Sequence, residues 1–486
     1  MRQSIWLIVL ILLFLSGVNS LKAQPNSLYY LKGVPQTKDL NPARPGIDQG
    51  FYLSMPLFSK LDLSVNSNNI GFNDLIHRGT GAQADSMVYD FKKFLSVLDV
   101  NNFVNESAAL TLIEFGRKKG TSFYGFSWTE REFLEPFFTK NLANLIYYGN
   151  APYVGTTYST GYFGIAAQQY REFAFTYAKD VNKKISVGLT GKLLFGLAGI
   201  KTSGVNAVAG MPQSGDLLDL NATGKVFLSA PVEMQLVYNK GYHFSASEHY
   251  STGKYLTNFG NPGLAADFGF AAKVSQKFEF SMSLIDLGFI SWNKDVTSFA
   301  ENNNFIFRGI NLNTITATNM PPVPTDVSSL FIPLRDSLQE KFAPAQPNAK
   351  FTTLLPVKFY AAGEYKVNEN VTIGAVARVR MLSNMVHTSY TASANAALSG
   401  SFSVSGSYSY MESTPVNIGL AGAYRIGHLQ FYAASDNIFS FFNPTTATNA
   451  NLRIGINLIY DDDAKPKKGV YQRHKKRTPV GCPFDQ

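Results

Sequence analysis

The chain has 486 residues, with 16% charged, 14% aromatic, a formal net charge of +9 and a mean hydropathy of −0.05. Charged residues fall below the ~25% of soluble domains, yet the hydropathy is too polar for a bundle of membrane helices. The balance suits a wall with lipid on one side and water on the other, and the single cysteine, Cys482, excludes a disulfide framework or a multi-cysteine metal site.

Residues 1–23 form the first element. A short positive start, Met1-Arg2-Gln3, precedes the apolar run Ile5 to Leu15, and small residues follow up to Ala23. This is a secretory signal peptide, cleaved after Ala23 or Ser20. The run is short against the ~20 apolar residues of a membrane-spanning helix, and no later stretch qualifies. No cysteine stands at the cleavage site, so a lipoprotein is not expected. Residues 24–49 follow, with Asn41-Pro42-Ala43 near their end. Asn-Pro reads by itself as a turn entering the first strand.

From 50 to 460 one unit repeats: about ten residues of alternating polarity, a turn, then another such run. In Ser401 to Tyr410, Phe402, Val404, Tyr408 and Tyr410 alternate with five serines; Leu452 to Tyr460 behaves likewise. Successive strand side chains face opposite sides, so each run has an oily and a wet face. Tight turns at 180–182, 275–276, 368–370 and 427–428 mark hairpins. They alternate with long connections over 67–102, 129–161, 200–262, 291–352 and 437–450. Short periplasmic turns and long extracellular loops are the pattern of an outer-membrane barrel. The expectation is an all-β transmembrane antiparallel β-barrel of about 14 strands. Two further runs, 222–238 and 241–248, make either a 16-strand barrel or a hairpin rising from the third loop. Helical patterns fall in the loops at Gln83 to Val100 (capped by Asp85), Glu130 to Tyr148 and Asp326 to Phe342.

Strand parity also places charges. Arg378 and Arg380 oppose the apolar face of 371–379, and Lys192 and Lys273 lie on polar faces, with Glu279 as a counter-charge. At mid-membrane a charge facing lipid costs up to ~2–4 kcal/mol, so these four belong in the lumen or at its rim. Residues 461–486 form a basic periplasmic tail with Lys465, Lys467, Lys468, Arg473, Lys475, Lys476 and Arg477. The tail is available to a periplasmic or secretion-system partner or to anionic lipid; nucleic acid is not an expected partner. There is no Gly-x-Ser-x-Gly elbow, no His-Glu-x-x-His and no phosphate-binding loop. Hence no enzyme, catalytic residue, metal or cofactor is expected.

Arg453, Gly455, Leu458 and Tyr460 of the last strand resemble the signal read by the outer-membrane barrel assembly machinery, although a tail follows here where that signal usually ends the chain. Asn41-Pro42-Ala43 near the mature start is similar to the hatch of the long-chain fatty-acid transporter (FadL-like) superfamily of fourteen-stranded barrels. Tyr30 to Gln36, Ser283 to Gly288 and Ser435-Asp436-Asn437 also look like segments of Bacteroidota outer-membrane proteins. The mature chain up to Tyr460 resembles an uncharacterised Bacteroidota family of such barrels. The resemblance implies an N-terminal plug at 24–49 and a passive channel or binding barrel for small hydrophobic molecules, opened by plug movement on a lateral path to the bilayer. Members of the wider group also include partners of the type IX secretion system. The alternative expectation is therefore a non-conducting, structural or partner-docking barrel of such a secretion or surface complex.

Overall fold

The computed structural model describes residues 27–462, apart from 57–58, 82–83, 150, 211–217, 231, 238–240, 247–252, 254, 256, 308–345, 348, 383–384 and 412–413. The signal segment 1–23, the helical pattern at 326–342, most of the tail and Cys482 lie outside the described residues.

Alternating polarity becomes a closed wall. Among the described residues fourteen antiparallel strands form it. They are β1 (Gly50–Ser54 continued by Lys60–Ser67), β2 (Asn101–Lys119), β3 (Ser122–Thr139), β4 (Gly164–Asp180), β5 (Ile185–Gly210), β6 (Pro262–Lys273) and β7 (Phe278–Trp292). The second half comprises β8 (Phe351–Leu354 and Val357–Lys366), β9 (Val371–Leu382), β10 (Met385–Ser399), β11 (Phe402–Met411), β12 (Thr414–Ile426), β13 (Leu429–Ser435) and β14 (Asn449–Tyr460). Each strand pairs with the next, and β14 closes on β1 with Tyr460 opposite Phe51 and Arg453 opposite Asp62. The short turns, Gly50 and Tyr460 all lie at one end. Closure of β14 on β1 leaves the fourteen-strand wall no first or last edge, the condition for a sheet in lipid.

The polarity is inside out relative to a soluble protein. Ser403, Ser405, Ser407 and Ser409 of β11 are buried, whereas Phe402, Tyr408 and Tyr410 are exposed. Leu420, Phe431, Ile373 and Phe175 join them on the outer surface. Inward hydroxyls and amides pair across strands, as in Thr111 with Thr129 (3.0 Å), Thr176 with Thr190 (2.9 Å) and Ser405 with Asn395 (2.6 Å). Unpaired, each would carry the penalty of a buried polar group.

The runs that left the strand count open add no strand to the fourteen. Leu218–Ser229 pairs with the upper part of β5 and with Val296–Phe307, above the level where β6 joins β5. Val232–Val237 and Gly241–Ala246 form a separate hairpin. Two expected helices are shorter. Met87–Tyr89 pairs with Ile76–Arg78, so the first helix is only Phe91–Val97, with Asp90 rather than Asp85 accepting from the Lys93 amide at 2.8 Å. β3 runs on through Thr129 to Thr139, eleven residues into the expected loop, and the helix there is Lys140–Tyr148. The charged stretch Glu130-Arg131-Glu132 reads as a loop, but Arg171 and Glu172 on β4 pair with Glu130 and Arg131.

An arginine at an outward mid-wall site should therefore cost much more than a small change inside. Leu420→Arg is expected to lower unfolding free energy in lipid vesicles by about 2–4 kcal/mol. Ser405→Ala should cost about 1 kcal/mol through one lost hydrogen bond. Denaturant titrations of the two variants measure the contrast.

Candidate functional site

Residues 27–49 pack against inward-facing side chains all round the barrel. Leu28, Tyr29, Tyr30, Leu31, Val34 and Leu40 form one buried cluster with Ile285, Tyr360, Val376, Ala421 and Tyr432. The Tyr30 hydroxyl lies 2.8 and 3.0 Å from the carbonyls of Gly363 and Ala375. Gln36 bonds Asn457 in both directions (2.9 and 3.0 Å), Asn457 donates to Gln430 (2.9 Å), and Gln430 donates to the Gly33 carbonyl (2.7 Å). The Ser27 amide donates to Asp436 at 2.7 Å, near the end opposite the short turns. At the short-turn end the chain swings into the wall at Gly50, where φ is +124° and a side chain would strike the Tyr460 carbonyl.

Asn41-Pro42-Ala43 has a specific seat. Asn41 is buried, and its amide nitrogen faces the Tyr29 hydroxyl (3.1 Å) and the carbonyls of Met282 (3.2 Å) and Phe270 (3.3 Å). Its oxygen accepts from the Ala43 amide at 3.0 Å, closing a local turn. The wall is cut away beneath it. Gly188 and Gly269 stand opposite each other on β5 and β6, and a Cβ on either would come within 2.3–2.4 Å of Pro42 or Asn41. The trio is a local turn packed against the inner wall, and the first strand begins only at Gly50.

Two ionic latches tie the segment down. Asp39 takes the ammonium groups of Lys38 (2.8 Å) and Lys60, while Lys38 also reaches Glu114 (2.9 Å), which accepts from Tyr52 (3.0 Å). Burial opposes ionisation of Asp39, but the two ammonium groups outweigh it and hold the carboxyl well below its usual range. On the other side Arg44 bonds Glu364 (2.9 Å), lies 3.6 Å from Glu279, and sits over the rings of Tyr29 and Tyr30. Sequence reasoning missed both latches, because their partners lie on distant strands.

Above the segment is a cavity of about 110 Å³, lined by charge. Arg131 forms a two-pronged pair with Glu172 (2.9 Å each). Lys192 reaches Asp286 (2.5 Å) and Asp267 (2.8 Å), and Lys358 reaches Asp286 (2.7 Å). Arg380 pairs with Glu135 (3.3 Å), Arg453 with Asp62, and Arg378 lies over the Tyr360 ring. Of the four charges parity assigned to the lumen or rim, Lys192, Arg378 and Arg380 line this cavity. Lys273 does not: it ends β6 opposite Glu279 and stands exposed at the rim, where the strand gives way to its turn. Gly455 and Arg453 of the last strand point inward, and a Cβ on Gly455 would hit the Tyr432 ring. Tyr460 stacks on His428 at 4.4 Å. The segments Ser283 to Gly288 and Ser435-Asp436-Asn437 also meet residues 27–49. Ser283 donates to the Leu40 carbonyl (2.5 Å), and Asp436 holds Ser27.

Wall and filling together define a class, the closed β-barrel whose own N-terminal segment occupies its interior. The chain belongs to the family described as "Family of unknown function (DUF5723)", whose model matches residues 42–436. No curated protein matches it. Among solved structures it is similar to the toluene transporter TbuX of Ralstonia pickettii, at 10% identity and a TM-score of 0.41, over 91% of this chain and 100% of that one. The toluene transporter TodX of Pseudomonas putida gives 8% and 0.38 over 90% and 97%. A Pseudomonas aeruginosa FadL homologue gives 9% and 0.39 over 91% and 99%.

Gly269→Leu should expel Asn41-Pro42-Ala43, costing about 1–3 kcal/mol by overpacking and opening Lys38 and Arg44 to trypsin in the folded protein. Acid should not do the same readily. Because the Asp39 carboxyl is lowered, its stabilisation is complete above the ordinary value of about 3.9 and is lost progressively as pH falls from there to the lowered value. Pepsin at pH 3.5 should leave residues 27–49 intact in the wild type and cut them in Asp39→Asn, whose Lys60 loses its partner.

Proposed function

We propose that the protein is an outer-membrane barrel, closed at rest by its N-terminal segment as a plug, that binds or passively passes a small hydrophobic molecule through its wall. Short turns then face the periplasm and long loops the exterior. The observation that carries this reading is the wall from β5 to β7. There Ile285 and Asp286 together oppose the single residue Asp267, a bulge. Asp286 has φ +62°, a conformation costing about 1–3 kcal/mol outside glycine. Lys192, Lys358 and the Asp267 carboxylate, which accepts from the Asp286 amide at 2.7 Å, hold it there.

Outside, the bulge adjoins an apolar groove of about 570 Å³ between Phe175, Leu193, Leu264, Leu287 and Phe289. Lys192 lines both the groove and the luminal cavity. Higher in the interior, Trp292, Ile290, Leu355, Phe351 and Tyr170 form an apolar cluster on the same side. A hydrophobe arriving from the loops meets apolar side chains as far as the bulge and charges below it. Sideways through the wall is the route of lower cost, since an apolar molecule gains nothing among paired ions.

Cells expressing the protein should take up at least one radiolabelled apolar compound several-fold faster than cells without it, and Asp286→Asn should alter that rate. Unchanged uptake of every hydrophobe tried contradicts the reading.

A second reading, a non-conducting barrel that docks a partner in a secretion or surface complex, is favoured by the matched cations and carboxylates that fill the lower lumen. A stoichiometric companion retained in detergent, together with unchanged uptake, would select it.

A further inference from the structure

The short-turn end is electrostatically lopsided. The turns after β8, β10 and β12 are close to neutral: Lys366 is offset by Glu369, Ser399 to Ser401 carry no charge, and Arg425 pairs with Asp461 at 2.9 Å. The β2–β3 turn exposes Lys119, and the two consecutive turns joining β4 to β5 and β6 to β7 expose Lys179, Lys183, Lys184, Lys273 and Lys277. Of the acids beside them, Asp180 is engaged by Lys118 at 3.0 Å, and Glu279, opposite Lys273, lies 3.6 Å from Arg44. This basic arc lies directly below the outer-wall groove, because both are built on β4 to β7.

The two features are in register for one molecule. Phe175, at the lower edge of the groove, is five residues above Asp180. At the usual rise and tilt of such strands that is roughly 13 Å along the membrane normal, within reach of a chain crossing half of a ~30 Å hydrocarbon core. The wall between arc and groove is lined outward by Tyr177, Leu189, Phe268, Phe270 and Met282, all exposed. The groove is hollowed partly by Gly191, around whose absent Cβ no atom lies within 4 Å.

We propose that this sector is a binding site for one anionic phospholipid of the leaflet on the short-turn side. Its phosphate lies on the lysine arc and an acyl chain lies in the groove over the bulge. Flexible lysines suit a phosphate at the interface, and an apolar groove on a lipid-facing wall suits a chain. The site needs the barrel to span a bilayer but not to pass a solute, so it can fail or stand independently of transport.

Native mass spectrometry of the full chain, released from vesicles containing equal phosphatidylglycerol and phosphatidylethanolamine, tests it. The wild type is expected to retain phosphatidylglycerol several-fold over phosphatidylethanolamine, and to lose that preference as salt is raised. The combined variant Lys179→Gln, Lys183→Gln, Lys184→Gln, Lys273→Gln and Lys277→Gln should lose the preference while its heat-modifiable migration stays normal. Gly191→Phe, which fills the groove without a clash, should reduce retention of both lipids. Retention indifferent to headgroup overturns the proposal, as does retention unmoved by either variant. So does an acidic protein companion lost from the lysine variant while lipid retention is unchanged.

Discussion

Everything in this molecule follows from a wall that is apolar on its outer side. Once Leu420, Phe431 and Ile373 face out, strand geometry sends their neighbours inward. The interior then collects Ser, Thr, Asn and charge, and fourteen strands enclose more space than those side chains fill alone. Residues 27–49 complete the filling. They bring six large apolar side chains against β7 to β9, β12 and β13, the Arg44 latch beside them on β7 and β8, and the Asp39 latch across on β1 and β2. The wall makes room in return at Gly188 and Gly269, so the fit is mutual.

The filling also determines what the lumen can do. Arg131, Lys192, Lys358, Arg380 and Arg453 each meet a carboxylate. A buried pair adds little net stability but costs several kcal/mol to break one-sidedly, so the lower lumen resists opening piece by piece. The bulge at Asp286 is one of several places where the wall departs from regular pairing, and there Lys192 lines both the luminal cavity and the outer groove. A change in the contacts of Lys192 would be felt on both.

Much of this was legible in the chain. The period-two runs at Ser401 to Tyr410 and Leu452 to Tyr460, and the inward parity of Arg378 and Arg380, need only local geometry. Asn41-Pro42-Ala43 was visible as a turn-forming trio, but the glycine pair that receives it lies more than 140 positions away, and no local signal joins them. The reach of β3 was hidden because Glu130-Arg131-Glu132 looks like loop until Arg171 and Glu172 are beside it. The helix expected from residue 83 was an overreach of periodicity: Met87–Tyr89 finds a strand partner in Ile76–Arg78, and hydrogen bonding to that partner outweighs the helical pattern. Asp286 could not be read at all, since its conformation depends on two lysines from other strands.

Cysteine accessibility in intact membranes tests the arrangement most directly. With Cys482→Ser as background, single cysteines are placed by Ala43→Cys, Ser405→Cys and Leu420→Cys and challenged with a charged and a lipid-soluble maleimide. The account predicts that Leu420→Cys reacts with the lipid-soluble reagent alone, and that Ala43→Cys and Ser405→Cys react with neither until the barrel is unfolded. Labelling of Leu420→Cys and Ala43→Cys by the charged reagent in the folded protein would contradict it.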